Sequence, residues 1–422
     1  MATVILGAQW GNEGKRKLAD KLLSQSRFQL CARAAGQRYD GQFFGSRLLP
    51  SGVMSPSCMN LIGSGVIFHV PTFFSELEAA EAKGAPTVRE RIFLSDRSQV
   101  DLDLYGAVDD LAGVKLDETR TGTTEQDATP SIRTNTMRSN MRIHEIFDQE
   151  AFETKLRKLV NTYRERHGDA LRYDVEDEIR RFREYRPKLA AFCVDAVHLI
   201  HNMQKHNVKF LVEGFDSLML DVNYGTYPYV TRSNTGLGGV FTGLAIHPKK
   251  IDQIIGVVNA YTTREDEGIF KTENHGDTGT DMQTIERDTN TGRKRRYGWV
   301  DLVALKYSIA VNHYTSLSLS KLDILDKFPV IKLAVAYRDP ETGEALENFP
   351  ADPSILKKCE VVYHEMEGWQ QQITHVKTFE SLPEQARAYV KFIEENCGVF
   401  IAWIGTGPSR DDIISRPIPA TI

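Results

Sequence analysis

Two lysines follow a glycine-rich segment near the start of the chain. The segment GAQWGNEGKRK begins at Gly7, directly after an apolar run, and leads into the helix-forming sequence KLADKLL. Backbone amides of such a loop, together with the dipole of the helix that follows, can bind a phosphate group, and Lys15 and Lys17 can supply positive charge. The GxxxxGK[ST] spacing of a Walker loop is absent. The segment therefore predicts either a phosphate site or an ordinary turn between a strand and a helix.

A second candidate site is formed by a lysine and a carboxylate late in the chain. The sequence SKLDILD places Lys321 and Asp323 just after a predicted strand. A carboxylate there can accept two parallel hydrogen bonds from the N1 and exocyclic amino groups of guanine, while the lysine stem covers the ring. The loop that could wrap the same base consists of Gly405, Thr406, Gly407 and Pro408. The structural alternatives are a salt-bridged strand end and a plain turn.

Four consecutive cations, Arg293 to Arg296, follow a glycine in the sequence TGRKRR. A nucleic-acid surface is one interpretation, but basic residues are not concentrated elsewhere and no aromatic residues are interleaved with these four. Arginines on a loop bent by glycine favour binding of a carboxylate or a phosphate, because the guanidinium fork matches both groups.

The overall composition argues against several classes of protein. The formal net charge is −5, so the chain has no general attraction for nucleic acid or an anionic membrane. The five cysteines are scattered and form no CxxC pair, which argues against a disulfide framework or a zinc site. No apolar run reaches about 18 residues, and no signal peptide is evident. We therefore expect a soluble, cytoplasmic protein with small-molecule substrates and without nucleic-acid or membrane partners.

The elements that must position these residues alternate between strands and helices. The apolar runs TVILG, FLVEG, IIGVVNAYTT and IKLAVAY predict strands buried on both faces, as in a parallel sheet. FFSELEAAEAKG predicts a helix that ends at Gly84. SLPEQARAYVKFIEENCG predicts a helix with a capping box of Ser381 and Glu384, an apolar stripe and an end at Gly398.

The chain shows no sign of separable domains. The charge-rich, helix-periodic residues from about 151 to 205 predict a helical insertion. We find no internal repeat, low-complexity tract or linker rich in proline and serine. The sequence therefore predicts a single α/β domain over residues 1–422.

The order of these segments resembles the adenylosuccinate synthetase family, in its eukaryotic, fungal-type form, over nearly the whole chain. GTYPYVT, TGRKRR and KLD are the most specific stretches. The resemblance implies a large, mainly parallel central sheet wrapped by helices, related to P-loop folds, and a homodimer. It also implies a GTP-dependent ligase of purine biosynthesis. GTP phosphorylates the 6-oxygen of IMP, aspartate displaces the phosphate to give adenylosuccinate, and Mg²⁺ bridges the groups.

The resemblance also implies roles for individual residues. The reacting groups are Lys15 and position 12, where Asn12 stands in place of the family aspartate. The residues that match the GTP site are Lys17, Lys321, Asp323, Gly405, Thr406, Gly407 and Pro408. Those that match the aspartate site are Thr291, Gly292, Arg293 and Arg295. Those that match the site of the acceptor nucleotide are Thr123, Thr124, Arg138, Asp216 and Thr231, with Arg138 reaching the partner's site.

The chain departs from the family at the reacting centre. The family loop reads WGDEGKGK, and its aspartate removes the N1 proton of IMP and binds Mg²⁺; here Asn12 and Arg16 replace the aspartate and the last glycine. An amide cannot accept a proton at neutral pH or bring charge to a metal, so the Mg²⁺ site is expected to be altered. QRYDGQFFGSR replaces the family segment GNNAGHT and lacks its acidic histidine, and Asp216 adds negative charge.

These departures leave three hypotheses for the function. The chain is a ligase of the same mechanism whose acceptor is no longer IMP, a weakly active adenylosuccinate synthetase, or a non-catalytic GTP-binding paralogue. The sequence favours the first, because the changes lie in one pocket while the guanine and aspartate motifs are kept. A decaying protein would also lose its aspartate loop.

Overall fold

The computed structural model describes residues 1–25, 28–36, 48–85, 87–113, 129–276, 279–280, 282 and 295–419. Contacts within the chain group it into two units that interleave along the sequence. The first unit consists of Met1–Ala2, Arg27–Phe215 and Gly238–Lys250, and the second of Thr3–Ser26, Asp216–Leu237 and Ile251–Ile422. The single domain over residues 1–422, with an insertion at about 151–205, stays a prediction.

Strands and helices alternate along much of the chain. The described strands are β1 (Ala2–Gly7), β2 (Leu30–Gly36), β3 (Met59–His69), β4 (Ile92–Ser95), β5 (Gln99–Asp101), β6 (Cys193–Val194), β7 (Phe210–Ser217), β8 (Ile251–Asn259), β9 (Tyr261–Arg264), β10 (Arg296–Asp301), β11 (Ser316–Ser320), β12 (Val330–Arg338), β13 (Glu360–Glu367), β14 (Ile401–Gly405) and β15 (Ile413–Ser415). The described α-helices are α1 (Lys15–Gln25), α2 (Val70–Ala82), α3 (Asp103–Gly113), α4 (Thr129–Thr136), α5 (Gln149–His167), α6 (Val175–Leu189), α7 (Ala196–Lys205), α8 (Leu237–Leu244), α9 (Leu302–Asn312), α10 (Pro353–Lys358) and α11 (Glu384–Cys397).

The first unit is built on parallel strands. Its strand order is β7-β2-β3-β4-β6, each neighbouring pair is parallel, and β5 pairs with the end of β3. Its core includes aromatic pairs such as Phe68 with Phe73 and Phe152 with Phe182, whose ring centroids lie 5.0 and 4.8 Å apart. The predicted helices between residues 151 and 205 are present as α5, α6 and α7, and the short strand β6 precedes α7.

The second unit contains the candidate site. Strands β8, β11 and β14 are parallel, β15 runs antiparallel to β14, and β1 lies next to β8. A smaller sheet has the order β13-β12-β10-β9, in which only the β10–β12 pair among those described is parallel. The carboxyl ends of parallel strands meet at one edge of a sheet, so the segments that follow β11 and β14 are brought together there.

The predicted α/β class with a large, mainly parallel sheet is confirmed. Strands β1 and β7 correspond to TVILG and FLVEG, and α2 ends just before Gly84, whose φ is +84°. The stripe of α11 is buried as predicted, at Ala386, Tyr389, Val390 and Ile393, and Gly398 follows the helix with φ +67°.

Three predictions about local structure are wrong. IIGVVNAYTT is not one strand, because Ala260 separates β8 from β9 and the two strands belong to different sheets. IKLAVAY is β12, which is only partly buried, and its antiparallel partner β13 at the end of the smaller sheet has no buried residue. The capping box of α11 does not form, because Pro383 occupies the cap position and the Ser381 hydroxyl instead pairs with Thr378 at 2.7 Å.

Candidate active site

The loop between β1 and α1 is organised around the buried carboxylate of Glu13. The backbone amides of Gln9 and Gly11 donate hydrogen bonds to Oε1 of Glu13, at 3.1 and 3.0 Å. The Lys15 ammonium and the Ser217 hydroxyl donate to Oε2, at 2.9 and 2.7 Å. Burial by itself raises the pKa of Glu13, but Lys15 and Ser217 outweigh it, so the pKa lies below its ordinary value. Glu13 is therefore an anion built into the loop.

The hydrogen bonds to Glu13 reduce the number of donors that the loop can direct at a phosphate. Two of its amides and the Lys15 ammonium are already directed at Glu13, so the amides that follow, at the start of α1, are the better candidates for an external anion. The loop bends through Gly11, Asn12 and Gly14, whose φ angles are +102°, +61° and +88°. Position 12 thus carries a side chain in a left-handed conformation, which asparagine tolerates better than most residues.

Lys17 and Asp323 both lie in the second unit, within electrostatic reach of each other. The Lys17 ammonium donates to the backbone carbonyl of Gly407. Burial lowers the pKa of Lys17, and the carboxylates of Asp323 and Asp412 oppose that shift. Burial also raises the pKa of Asp323 to about 6, with further increases from Asp326 and Asp412 and a decrease from Lys17. Asp323 is therefore a poorly solvated carboxylate in need of donors.

The strand end before Asp323 and the loop after β14 approach closely. Lys321 has a left-handed backbone with φ +59°, and the 3₁₀ helix Leu322–Leu325 that carries Asp323 follows it. The Lys321 ammonium lies 5.9 Å from the centroid of the Tyr261 ring. A Cβ added at Gly405 would lie 3.2 Å from the backbone nitrogen of Lys321, which explains why glycine is suited to the end of β14. The segments SKLD and GTGP therefore lie side by side, and their binding of one guanine base stays a prediction.

Asp412 closes the GTGP loop from the inside. The Thr406 amide donates to the Asp412 carbonyl at 2.8 Å, and the Ser409 amide donates to its carboxylate at 3.0 Å. Lys377 donates to the same carboxylate at 3.2 Å. Asp412 is 3% exposed, and a Cβ at Gly407 would lie 2.8 Å from its Oδ2. Thr406 and Gly407 are buried and Pro408 is exposed, so the loop turns outward at the proline.

Arg295 reaches position 12 of the first loop. When the Asn12 amide is oriented with Oδ1 toward the guanidinium, Oδ1 accepts hydrogen bonds from Nη1 and Nη2 of Arg295, the second at 3.0 Å. The Nε of Arg295 donates to Oε1 of Glu265 at 2.7 Å. An amide thus occupies the position at which the resemblance predicts a proton-accepting carboxylate, and the Arg295 guanidinium lies against it.

The remaining predicted residues are only partly covered by the described structure. Thr231 donates through Oγ1 to the Leu220 carbonyl at 3.0 Å, and Asp216 is half-buried with φ +50°. Arg138 belongs to the first unit and is exposed, with φ +59°. Thr123, Thr124, Thr291, Gly292 and Arg293 lie outside the described residues, and so does the segment 37–47, in which the resemblance predicts a change of the histidine-bearing loop.

Sequence reasoning missed a buried arginine beside the first loop. Arg264 is 1% exposed, its Nε donates to Asp266 at 3.2 Å and Nη2 donates to Thr226 at 3.3 Å. Its guanidinium carbon lies 5.1 Å from the ring centroid of Trp10, and the Trp10 indole donates to Thr226 at 3.2 Å. The sequences AYTTRE and GTYPYVT contain Arg264 and Thr226, but nothing in them indicates that the two residues meet.

Comparison with known proteins gives a match over nearly the whole chain. The sequence profile described as adenylosuccinate synthetase matches residues 4–414. The chain belongs to the adenylosuccinate synthetase family.

Among its relatives, the adenylosuccinate synthetase of Pyricularia oryzae is 58% identical over 99% of this chain and 100% of its own length. That of Sordaria macrospora is 57% identical over 100% of this chain and 99% of its own. The solved structure of fully ligated adenylosuccinate synthetase from Plasmodium falciparum has a TM-score of 0.91 at 33% identity, covering 98% of this chain and 99% of that one. The adenylosuccinate synthetase fold is therefore confirmed, and the family is one of GTP-dependent ligases that use Mg²⁺.

At position 12, where the resemblance predicts a Mg²⁺ ligand, the side chain present does not suit the metal. Mg²⁺ is usually bound by one or two carboxylates together with substrate phosphates. Here the side chain at position 12 is a neutral amide that accepts hydrogen bonds from a guanidinium, whose positive charge opposes a cation at the same place. Among the described residues, no group of three or more histidines, cysteines or acids could hold a metal. We therefore derive no step through the metal.

None of the helices in the described parts of the chain combines the length and the apolar character that crossing a membrane requires.

Proposed function

We propose that the chain is a GTP-dependent ligase that joins aspartate to IMP to give adenylosuccinate, at a low rate. The observation that carries the nucleotide assignment is the half-buried Asp323 carboxyl within electrostatic reach of Lys17, whose ammonium donates to the Gly407 carbonyl of the GTGP loop. A carboxylate that is poorly solvated in the free protein gains most from donors such as the N1 and exocyclic amino groups of guanine. Adenine presents an acceptor at N1 instead, so the same carboxylate disfavours ATP.

The relatives support IMP as the acceptor. Two fungal proteins that bear the name adenylosuccinate synthetase are more than half identical to this chain over its full length. The relatives therefore favour IMP as the acceptor, whereas the sequence alone favours an altered acceptor. The first loop supports a low rate, since Asn12 cannot remove a proton from N1 of IMP. A general base typically contributes about 10²–10⁴-fold, and we expect a deficit of that order against a carboxylate-bearing relative.

A second candidate is a ligase of the same mechanism with another acceptor. The contact between Asn12 and Arg295 favours it, because the amide forms part of a hydrogen-bonded arrangement with the guanidinium. An acceptor carboxylate, or a carbonyl without an adjacent N–H, needs no proton abstraction at position 12. The non-catalytic paralogue is the third hypothesis, and the same assay distinguishes it.

We also propose a homodimer in which Arg138 reaches the partner's nucleotide. The exposure of Arg138 on the first unit supports this role, since the side chain is accessible to a partner. Sedimentation equilibrium is expected to give twice the mass of one chain, and a single-chain mass at micromolar concentration contradicts the proposal.

The experiment is turnover of GTP with aspartate against a panel of acceptors that begins with IMP. We expect phosphate release that requires GTP and aspartate, slow formation of adenylosuccinate with IMP, and no turnover with ATP. Faster turnover with another acceptor supports the second candidate. Equal affinity for ATP and GTP contradicts the guanine assignment, and GTP binding without turnover for any acceptor supports the paralogue.

A further inference from the structure

The loop that follows β9 pairs a carboxylate with the arginine expected to hold the substrate aspartate. Glu265 accepts a hydrogen bond from Nε of Arg295 at 2.7 Å, and the Arg295 side chain is only 9% exposed. The other two guanidinium nitrogens of Arg295 face Asn12. A bidentate contact with a carboxylate needs two parallel N–H groups, either Nε with one Nη or the two Nη together. In this structure Glu265 binds Nε and Asn12 binds both Nη, so each of these pairs is already engaged.

The neighbouring arginines are paired in the same way but differ in exposure. Arg264 pairs with Asp266, and Arg296 pairs with Glu273. The acid side chains of those two pairs are 11% and 15% exposed, whereas that of Glu265 is 41% exposed. Asp266 and Glu273 therefore act as fixed structural partners, whereas the Glu265 side chain can leave its arginine and be solvated by water.

We infer that Glu265 is a tethered competitor of the substrate aspartate for Arg295 and thereby sets the aspartate concentration that the protein requires. This inference rests on the proposed function, which assigns Arg295 to the aspartate site. The carboxylate of aspartate reaches Arg295 by one of two routes. In the first it displaces Glu265 from Nε. In the second it displaces the neutral amide of Asn12 and then lies beside the Glu265 charge, which repels it.

Both routes lead to the same consequence. Removal of the charge at position 265 strengthens the binding of aspartate, because it removes either a competitor or a repulsion. Ion pairs with exposed partners contribute about 0.2–1 kcal/mol, which corresponds to roughly 1.4- to fivefold in a dissociation constant. Glu265 is not expected to touch the guanine base, so the affinity for GTP should not change.

The test is calorimetric titration of L-aspartate into the full chain saturated with a non-hydrolysable GTP analogue. The variants are Glu265→Gln, which keeps the shape and removes the charge, and Glu267→Gln as a matched control in the same exposed loop. Glu267 acts electrostatically on Arg296. We expect the aspartate dissociation constant to fall about two- to fivefold in Glu265→Gln and to change by less than about 1.5-fold in the control.

Titration of the GTP analogue into each variant separates the two ways of failing. Equal aspartate affinity in Glu265→Gln and the unaltered chain, with the analogue bound, overturns the inference and leaves the proposed function standing. Binding of the analogue without aspartate binding in either protein overturns the assignment of aspartate as the competed ligand. Failure of all the proteins to bind the analogue overturns the proposed function and the inference together.

Discussion

The substitution Asp323→Asn is expected to make the free protein more stable while weakening its binding of GTP. Burial raises the pKa of Asp323 from 3.8 to about 6. A folded-state pKa above the unfolded value means that ionisation of this carboxyl destabilises the folded state. The penalty is absent below about pH 4, grows as the pH rises through the interval from 4 to 6, and is complete above it.

The size of the stability effect follows from that shift. A difference of about two pKa units corresponds to roughly 3 kcal/mol, and solvent screening of this half-buried group reduces it to about 1 kcal/mol. Asparagine has the same shape and no charge. We therefore expect Asp323→Asn to raise the free energy of unfolding by about 1 kcal/mol at pH 8 and by about half as much at pH 5, which lies midway between the unfolded and folded pKa values.

The effect on nucleotide binding has the opposite sign. In the complex, Asp323 would accept two hydrogen bonds from guanine, and a hydrogen bond to a charged group contributes about 1.5–3 kcal/mol. Asparagine retains one acceptor and presents its amino group to a donor of the base. We expect a loss of about 2 kcal/mol, or roughly thirtyfold in the dissociation constant for GTP, and a much smaller change for ATP.

Urea unfolding at pH 8 and pH 5, together with titration of GTP and ATP, measures both effects. Asp326→Asn is the matched control, because Asp326 accepts structural hydrogen bonds from the Trp369 indole at 2.8 Å and the Ile373 amide at 3.0 Å. The control should lose stability and keep its preference for GTP. If Asp323→Asn instead loses stability at pH 8 and binds GTP as before, Asp323 is a structural residue and the reasoning is refuted.

Two further predictions concern the first loop. Glu13→Ala removes the acceptor of four donors, one of which is the Lys15 ammonium. We therefore expect the free energy of unfolding, measured by urea denaturation, to fall by about 3 kcal/mol or more. A fall of less than about 1 kcal/mol would contradict the role of Glu13 as the centre of a buried hydrogen-bond network. Asn12→Asp should leave the rate of adenylosuccinate formation nearly unchanged, because the acidic histidine that the resemblance implies is absent from the chain before His69, and restoring one member of a catalytic unit recovers little while another is missing. A rate increase of about 10²-fold or more, followed by ultraviolet absorbance, would show that position 12 is the only lesion.

The sequence was sufficient where the signal is local or the motif is specific. Strand β1, helix α2 and the approach of SKLD to GTGP all follow from apolar runs, glycines and motif order. It failed where a distant partner decides the outcome. Ser381 has the spacing of a capping box, but its hydroxyl pairs with that of Thr378, and Pro383 occupies the cap position of the helix. Ala260 reads as part of a continuous strand until the pairing of β9 with β10 draws the chain into another sheet.

The site shows the same division. Lys17, Asp323 and the GTGP loop can be assigned to a guanine nucleotide from their residue types alone, and that assignment stays a prediction. The roles of Glu13 and Asp412 are not recognisable, since a single acid in a loop has no signature until the amides and lysines around it are located. The pairing of Glu265 with Arg295 crosses 30 positions of the sequence and could not be read from either segment.

The transfer of the 6-oxygen from IMP to phosphate tests the central claim most directly. IMP labelled with ¹⁸O at position 6 is incubated with GTP, aspartate and the full chain, and both products are examined by mass spectrometry. We predict slow formation of adenylosuccinate accompanied by an equal amount of phosphate that carries one ¹⁸O atom, and no labelled phosphate when aspartate is omitted from the turnover mixture. Unlabelled phosphate alone would mean that GTP is merely hydrolysed, and this would contradict the assignment of the chain as a ligase acting on IMP.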